Sequence, residues 1–343
     1  MVFSYAVTVG GIAHENDKIV SISVRKSCSG LPIKGCITGC LEVTIVTDIC
    51  PEDNGEVTVT CSNGTTFPTF YIASRSAPQV GLLSLVCYDR MMMLDQDFDF
   101  SGFVGEDEKD PFISHVVSAI VSQCGFSGGG SITVHGATTI PLDEIKGSTC
   151  RKILETLSAG ACGIWYCNNS NNLTFLPFGS YDTLVSSDLY SMIKVGLPKG
   201  PISRVVAVNS ENGEVFDSLG GTSVSSTIRI ESIFASSENI EGILSSCRNY
   251  ELHSFSCDKL LLDGNIEIGG LFTVEENNYT VLSYSLSFSP GGIFASISSP
   301  NLNESEFGYL AFAERAAKDA VQSGRVHKNV MISKYEGLTL VGR

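Results

Sequence analysis

Three aspartates alternate at Asp95, Asp97 and Asp99. A calcium loop of the helix-loop-helix kind needs glycine after the third acid, and Phe100 stands there instead. On a strand, the same spacing sets all three carboxylates on one face. The ordinary reading is a solvated face. The sharper one is an acidic stripe facing a channel.

Other residue types capable of chemistry are scattered. Five histidines stand singly at His14, His115, His135, His253 and His327. His115 follows Ser114, but no serine is expected to stand in a nucleophile elbow. Members of a Ser-His-acid triad can be distant in sequence, yet nothing draws them together here. Of twelve cysteines, Cys36 and Cys40 are four apart and Cys162 and Cys167 five apart. Neither pair has the Cys-x-x-Cys spacing of a zinc knuckle, and no paired histidine motif accompanies them. Cys124, Cys150 and Cys247 fall on apolar helix faces, where a reduced thiol serves as a small hydrophobe. The stretch from Gly125 to Ser131 is glycine-rich but lacks the Gly-Lys-Ser/Thr that holds a phosphate, and reads as a flexible loop. Asn63, Asn172 and Asn278 open glycosylation sequons that read as chance without a secretory route. No catalytic residue, metal ligand or cofactor is expected.

Composition narrows the function classes. The chain has 343 residues, 43% hydrophobic and only 17% charged, which supports sizeable cores and two or three domains. Its net charge of −15 suits a solubilised surface or a basic partner and opposes a grip on nucleic-acid phosphates. The first residues show no basic region or cleavage site of a signal peptide, and no apolar run reaches the ~20 residues of a membrane helix. Synthesis and folding in a bacterial cytoplasm, with reduced thiols and no membrane insertion, are expected.

The elements that must position these residues are mostly strands. Across 1–105, apolar residues alternate at Val7 and Val9, at Val20, Ile22 and Val24, at Leu41, Val43 and Ile45, and onward through Leu83, Leu85 and Cys87. Turn signals such as Gly10-Gly11 and Asp53-Asn54-Gly55 separate them, as in an antiparallel barrel or sandwich. From 106 to 200 the pattern changes. Asp110-Pro111 reads as a helix start, with Ile113, Val116, Val117, Ile120, Val121 and Cys124 as its stripe and Gly125 as its stop. A strand near Ile132 and Val134 follows. A second stripe runs from Cys150 through Ala161, then a hairpin from Ile164 to Phe178 turned at Asn168 to Asn172. Residues 201–300 return to strands, interrupted by a helix bearing Ile240, Ile243, Leu244 and Cys247. A last helix, Glu304 to Ser323, precedes a basic tail with a short strand from Val330 to Ile332, completing a 301–343 segment. The fold class expected is α+β, mainly β.

Several stretches together resemble phage tail baseplate hub proteins of the late-control protein D type, found in contractile prophages and tailocins. They are Gly35-Cys36-Ile37-Thr38-Gly39-Cys40, Tyr88-Asp89-Arg90-Met91, and Thr149 to Leu154 followed by Ala159 to Gly163 and Leu173 to Phe178. The helix at 238–249 with Gly264 to Val274 and Tyr284 to Phe288 is another, and Ile332 to Gly337 the last. The chain departs from the pattern in its many cysteines and in having Gly264-Asn265 and Gly269-Gly270 where such hubs often carry Asp-Pro and Gly-Asp. The resemblance implies two tail-tube-like antiparallel β-barrel domains, divided by small helix-plus-strands modules. It implies a homotrimer joining a six-fold tail tube to a three-fold spike, without enzymatic activity. Its partners would be the tail tube protein, the spike protein, the baseplate wedge and the tape-measure protein, within a virion or tail-like particle. The competing function is a tail-associated cell-wall hydrolase.

Overall fold

The computed structural model describes residues 3–28, 32–103, 110–179, 184–185, 190, 192–196, 201–218, 227–248, 253–274 and 277–299. In chain order the first strands are β1 (Tyr5–Val9), β2 (Ile12–Glu15), β3 (Ile19–Ser27), β4 (Cys36–Ile37), β5 (Cys40–Val46), β6 (Glu56–Cys61), β7 (Phe70–Ser76) and β8 (Leu82–Asp89). The middle of the chain holds α1 (Ile113–Gln123), β9 (Gly128–Gly129), α2 (Leu142–Ile145), α3 (Cys150–Ala161), β10 (Gly163–Cys167) and β11 (Asn172–Pro177). There follow β12 (Leu184–Val185), β13 (Met192–Val195), β14 (Arg204–Asn209), β15 (Val215–Asp217), β16 (Thr227–Ser232) and α4 (Ser237–Cys247). The last described strands are β17 (Phe255–Leu261), β18 (Leu271–Val274), β19 (Asn277–Thr280), β20 (Ser283–Ser289) and β21 (Gly292–Ser298).

The mainly β, α+β class expected from the sequence is the one found, as a curled half-barrel sheet with few helices. The joint between the two β regions is not as expected. They do not stand apart: β20 pairs antiparallel with β3, Leu286 opposite Val24, and one eleven-stranded sheet runs β13-β17-β21-β20-β3-β5-β8-β7-β6-β1-β2. A single hydrophobic core lies under both regions, from Val7 and Leu41 to Leu286 and Ile297. Sequence periodicity marks which face of a strand is buried but not which strand is its neighbour, so the join was not readable.

Two smaller sheets carry the helices. β4-β10-β11-β9 holds the expected hairpin, Cys167 opposite Leu173, and packs with α1 and α3 around Trp165, the chain's single tryptophan. Of the strands expected in the second barrel at Ile202 to Val208 and Ser226 to Ile230, the described residues stand instead in a sheet of their own, β15-β14-β16, with α4 packed on it. The expected strand at Ile132 and Val134 is absent; Val134 makes only an isolated bridge with Ala137. Asp110 does not cap α1, which begins after Phe112; its carboxylate accepts from the Leu142 amide at 3.0 Å and so caps α2. Thr149 and Ser236 do cap α3 and α4, accepting from Lys152 and Asn239 amides. Val20 is 60% exposed, not inward, because a register shift between Ile19 and Ser21 turns it out. The helix at Glu304 to Ser323, the strand at Val330 to Ile332 and the stretch to Gly337 lie outside the described residues.

The two helical units meet at a buried polar joint. Asn239, fully buried, donates from Nδ2 to the Gly160 carbonyl at 2.7 Å and to that of His135 at 3.1 Å. The close approach needs glycine at 160, where a Cβ would lie 2.5 Å from the Phe234 ring and 2.8 Å from Val134. Gly160→Ala is therefore expected to destabilise the chain by about 1–3 kcal/mol through overpacking. Urea unfolding read by Trp165 fluorescence checks this; an unchanged midpoint would mean the joint yields freely.

Candidate functional site

The segment holding Asp95, Asp97 and Asp99 is not a strand, so the one-face stripe that their spacing suggested does not form. Asp95 ends a 3-10 helix at Arg90–Asp95. Its carboxylate pairs with Arg151, Nε to Oδ1 at 2.5 Å. Asp97 bridges to Thr149, and its carbonyl accepts from Gln123 Nε2 at 2.7 Å. Asp99 Oδ1 accepts from the Ser101 amide at 3.0 Å, and the Ser101 hydroxyl together with that amide holds its carboxyl below the ordinary aspartate value. All three side chains are exposed. They tie a loop to α1 and α3.

The four described histidines occupy different parts of the fold. His14 is on β2, His115 lies edge-on to Phe112, His135 reaches Ser246, and His253 lies edge-on to Tyr279. Burial lowers the pKa of His14 and His135. One serine motif escaped the sequence reading: Gly125-Phe126-Ser127-Gly128-Gly129 has the Gly-x-Ser-x-Gly spacing. A nucleophile elbow needs a strand before the serine and a helix after it. Here the order is reversed, with α1 before and β9 after, and the Ser127 amide is bonded to the Asn171 carbonyl at 3.0 Å. No group of three metal-capable side chains exists among the described residues. A groove of about 630 Å³ opens beside β1, β2 and β6, and no histidine lines it.

None of the twelve cysteines is in a disulfide, and Cys50 is the only exposed one. Burial pushes the Cys61 and Cys257 thiols up to about 11 and the Cys87 thiol to about 12. With Ellman's reagent at pH 8, one fast-reacting thiol is expected in the folded chain, lost in Cys50→Ser. Several fast thiols would contradict this burial pattern.

The most developed polar site is structural and was not found from sequence. Lys26 on β3 and Asp89 ending β8 are 3% and 0% exposed, with Nζ 3.3 Å from Oδ2. Lys26 also donates to the Cys167 carbonyl on β10 at 2.6 Å and lies over the Tyr166 ring. Asp89 accepts from the amides of Gly39 at 2.8 Å and Met91 at 3.2 Å. Gly39 is what lets the pair meet: a Cβ there would lie 2.6 Å from Asp89 Oδ2 and 2.8 Å from Lys26 Cε. Burial opposes the charge on Lys26, but Tyr284 and Asp89 outweigh it and hold the lysine above its ordinary value. Burial likewise raises Asp89, against the pull of Lys26 and the two amides. The Gly39 and Met91 amides and Lys26 Nζ all bring donors to Asp89, an arrangement that suits a carboxylate beside an ammonium. Nearby, Glu267 accepts from Tyr166 Oη at 3.3 Å and from the Asn169 amide at 3.1 Å. Lys26 thus fastens the large sheet to the hairpin sheet.

The outer surface offers a different kind of site. Among the described residues no strand pairs with the outer edge of β2 or of β13, the two ends of the large sheet. Each edge strand carries an exposed large apolar side chain, Ile12 at 49% and Val195 at 50%. Unpaired edges of this kind are templates for another chain unless they are protected.

No protein-family model matches the chain, and no curated protein matches it. Solved structures do. The chain is similar to the 43 kDa tail protein of prophage MuSo2 from Shewanella oneidensis, with TM-score 0.56 and 12% identity over 86% of this chain and 97% of that one. It is also similar to prophage tail protein gp18 from Listeria monocytogenes, with TM-score 0.53 and 11% identity over 90% and 98%. The fold is that of prophage tail proteins. No described helix is long and apolar enough to cross a membrane.

Proposed function

We propose that this chain is the structural hub of a contractile tail baseplate. Three copies would close a ring between the six-fold tail tube and the three-fold spike, with baseplate wedge and tape-measure proteins as further neighbours. The observation that carries this reading is the large sheet whose two dissimilar ends, β2 and β13, no strand covers among the described residues. A chain with two different edges joins copies head to tail, and such contacts close into a ring when the rotation fits. The likeness of fold to prophage tail proteins supports a tail role. The net charge of −15 suits a surface that does not hold passing nucleic acid. The work is done by shape and buried contact, without catalysis.

Co-expression with the tube and spike proteins of the same particle, followed by electron microscopy, tests the proposal. A three-fold ring seated between them is expected. A chain that binds neither, or that clears a cell-wall gel, would overturn the proposal.

A further inference from the structure

The two ends of the large sheet differ in which of their residues bond outward. On β13, the Gly196 amide donates to the Ser254 carbonyl at 2.8 Å, while the Phe255 carbonyl turns the other way and accepts from Ser299 at 3.0 Å. Val195, opposite Phe255, and Ile193 therefore aim their amides and carbonyls at the open edge. At the other end, the Ser62 amide donates to the Ser4 carbonyl at 2.9 Å. Ser4, Ala6 and Thr8 thus bond to β6, and Val7 and Val9 bond to His14 and Ile12 of β2. That leaves Ala13 and Glu15 aimed at the open edge. The faces are opposite. Outward-bonding Ile193 packs on the large core, whereas outward-bonding Ala13 and Glu15 are exposed and His14 between them is buried.

We propose that β2 of one copy pairs in parallel with β13 of the next copy, and that Glu15 and Lys194 select this partner edge; the proposal rests on the hub reading above. In an antiparallel pair, opposed residues share both bonding direction and face, so that junction would set an exposed face against a core face. In a parallel pair, an outward-bonding residue lies opposite one that bonds inward, and both faces continue unbroken. The topology agrees. Every pairing within the sheet is antiparallel, so β13 and β2, first and last of eleven strands, run in the same direction. A rotation that closes a ring keeps that direction and makes the junction parallel. The register that covers most apolar surface sets Ile12 opposite Ile193, Ala13 opposite Lys194 and His14 opposite Val195. Ile12 and Val195, half-exposed in one chain, then extend the core face. The Ala13 amide donates to the Ile193 carbonyl, and the Ala13 carbonyl accepts from the Val195 amide. On the outer face, the exposed Glu15 lies diagonal to the exposed Lys194 of the next copy. Arg25 and Glu42 have the same diagonal relation between β3 and β5, where they pair at 2.6 Å.

The test follows assembly of the full chain by native mass spectrometry. Glu15→Lys and Lys194→Glu change exposed side chains, and each alone should weaken association by about tenfold or more, because like charges then meet at the junction. Combined in one chain, the two reversals should restore association to near that of the parent. Cross-linking with a short bismaleimide, in chains carrying Cys50→Ser to remove the exposed thiol, reads the strand direction. Ala13→Cys with Lys194→Cys should give covalent trimers. Glu15→Cys with Met192→Cys, far out of register in a parallel pair, should not. Linkage through the second pair would mean that the strands run in opposite directions and would overturn the proposal. So would a trimer that both single charge reversals leave intact, an outcome that spares the hub reading. A chain that stays monomeric even with tube and spike proteins would remove both.

Discussion

Lys26→Met is expected to lower folding stability by about 3–5 kcal/mol, the usual cost of leaving one member of a buried ion pair alone. Methionine fills the space of the lysine stem, so lost volume is not the main term. What is lost is the cation 3.3 Å from a carboxylate that water does not reach. The Cys167 carbonyl also loses its 2.6 Å donor, which loosens the hairpin sheet from the large one. Lys26→Met with Asp89→Asn should recover part of the loss, because the unpaired buried charge is gone, although the single asparagine oxygen can accept from only one of the Gly39 and Met91 amides. The measurement is urea unfolding followed through Trp165. The pH dependence follows from the sign of the shift. Lys26 is held above its ordinary value, so its contribution is complete at neutral pH and is lost only as pH rises beyond the usual lysine range. A single variant within about 0.5 kcal/mol of the parent, the range of ordinary surface changes, would show that the pair holds nothing together.

Ala13→Pro is expected to abolish assembly while leaving the fold intact. β1 and β2 form a hairpin closed by Gly10 and Gly11, both at positive φ, with Val9 opposite Ile12 and Thr8 opposite Ala13. A two-residue turn makes the closing pair, Val9 and Ile12, the one that exchanges hydrogen bonds. The next residue, Ala13, therefore points its amide away from β1, toward the open edge. Proline there removes a donor that a neighbouring chain would use and costs the hairpin no bond of its own. Circular dichroism and the unfolding midpoint should stay near those of the parent while the assembly dissociates. A variant that assembles normally would remove β2 from the interface.

Much of the fold was legible because burial alternates along strands such as β5 and β8. Leu83, Leu85 and Cys87 are inward, as their spacing implies. The same alternation contains the hidden ion pair. Lys26 continues the inward positions of Ile22 and Val24, and Asp89 continues those of Leu83, Leu85 and Cys87. A charge on the buried parity of each of two strands was the available signal. Gly39, between them in the small-residue stretch, was the third part. Asp95, Asp97 and Asp99 misled for the opposite reason. Their alternation is real in sequence, but Asp89 caps the following turn by accepting from the Met91 amide, and the backbone leaves the sheet before the aspartates begin.

Strand partners were not legible. Two β regions far apart in sequence were read as separate because no local pattern records that Val24 faces Leu286 across a ladder. Their union removes separateness as a reason for a ring. The two ends of the joined sheet and the likeness of fold are what remain in support of one. The Cys124 and Cys150 helices were found from their stripes, but the bonds from Gln96 to the Cys124 sulfur and the Cys150 amide depend on how the helix ends pack, which a stripe cannot show.

Native mass spectrometry of the purified chain, with and without Ala13→Pro, tests edge-to-edge assembly most directly. A mass three times that of one 36.6 kDa chain for the parent, and of a single chain for the variant, is the expected outcome. A parent that stays monomeric at high concentration, or a trimer that the substitution leaves untouched, would contradict it.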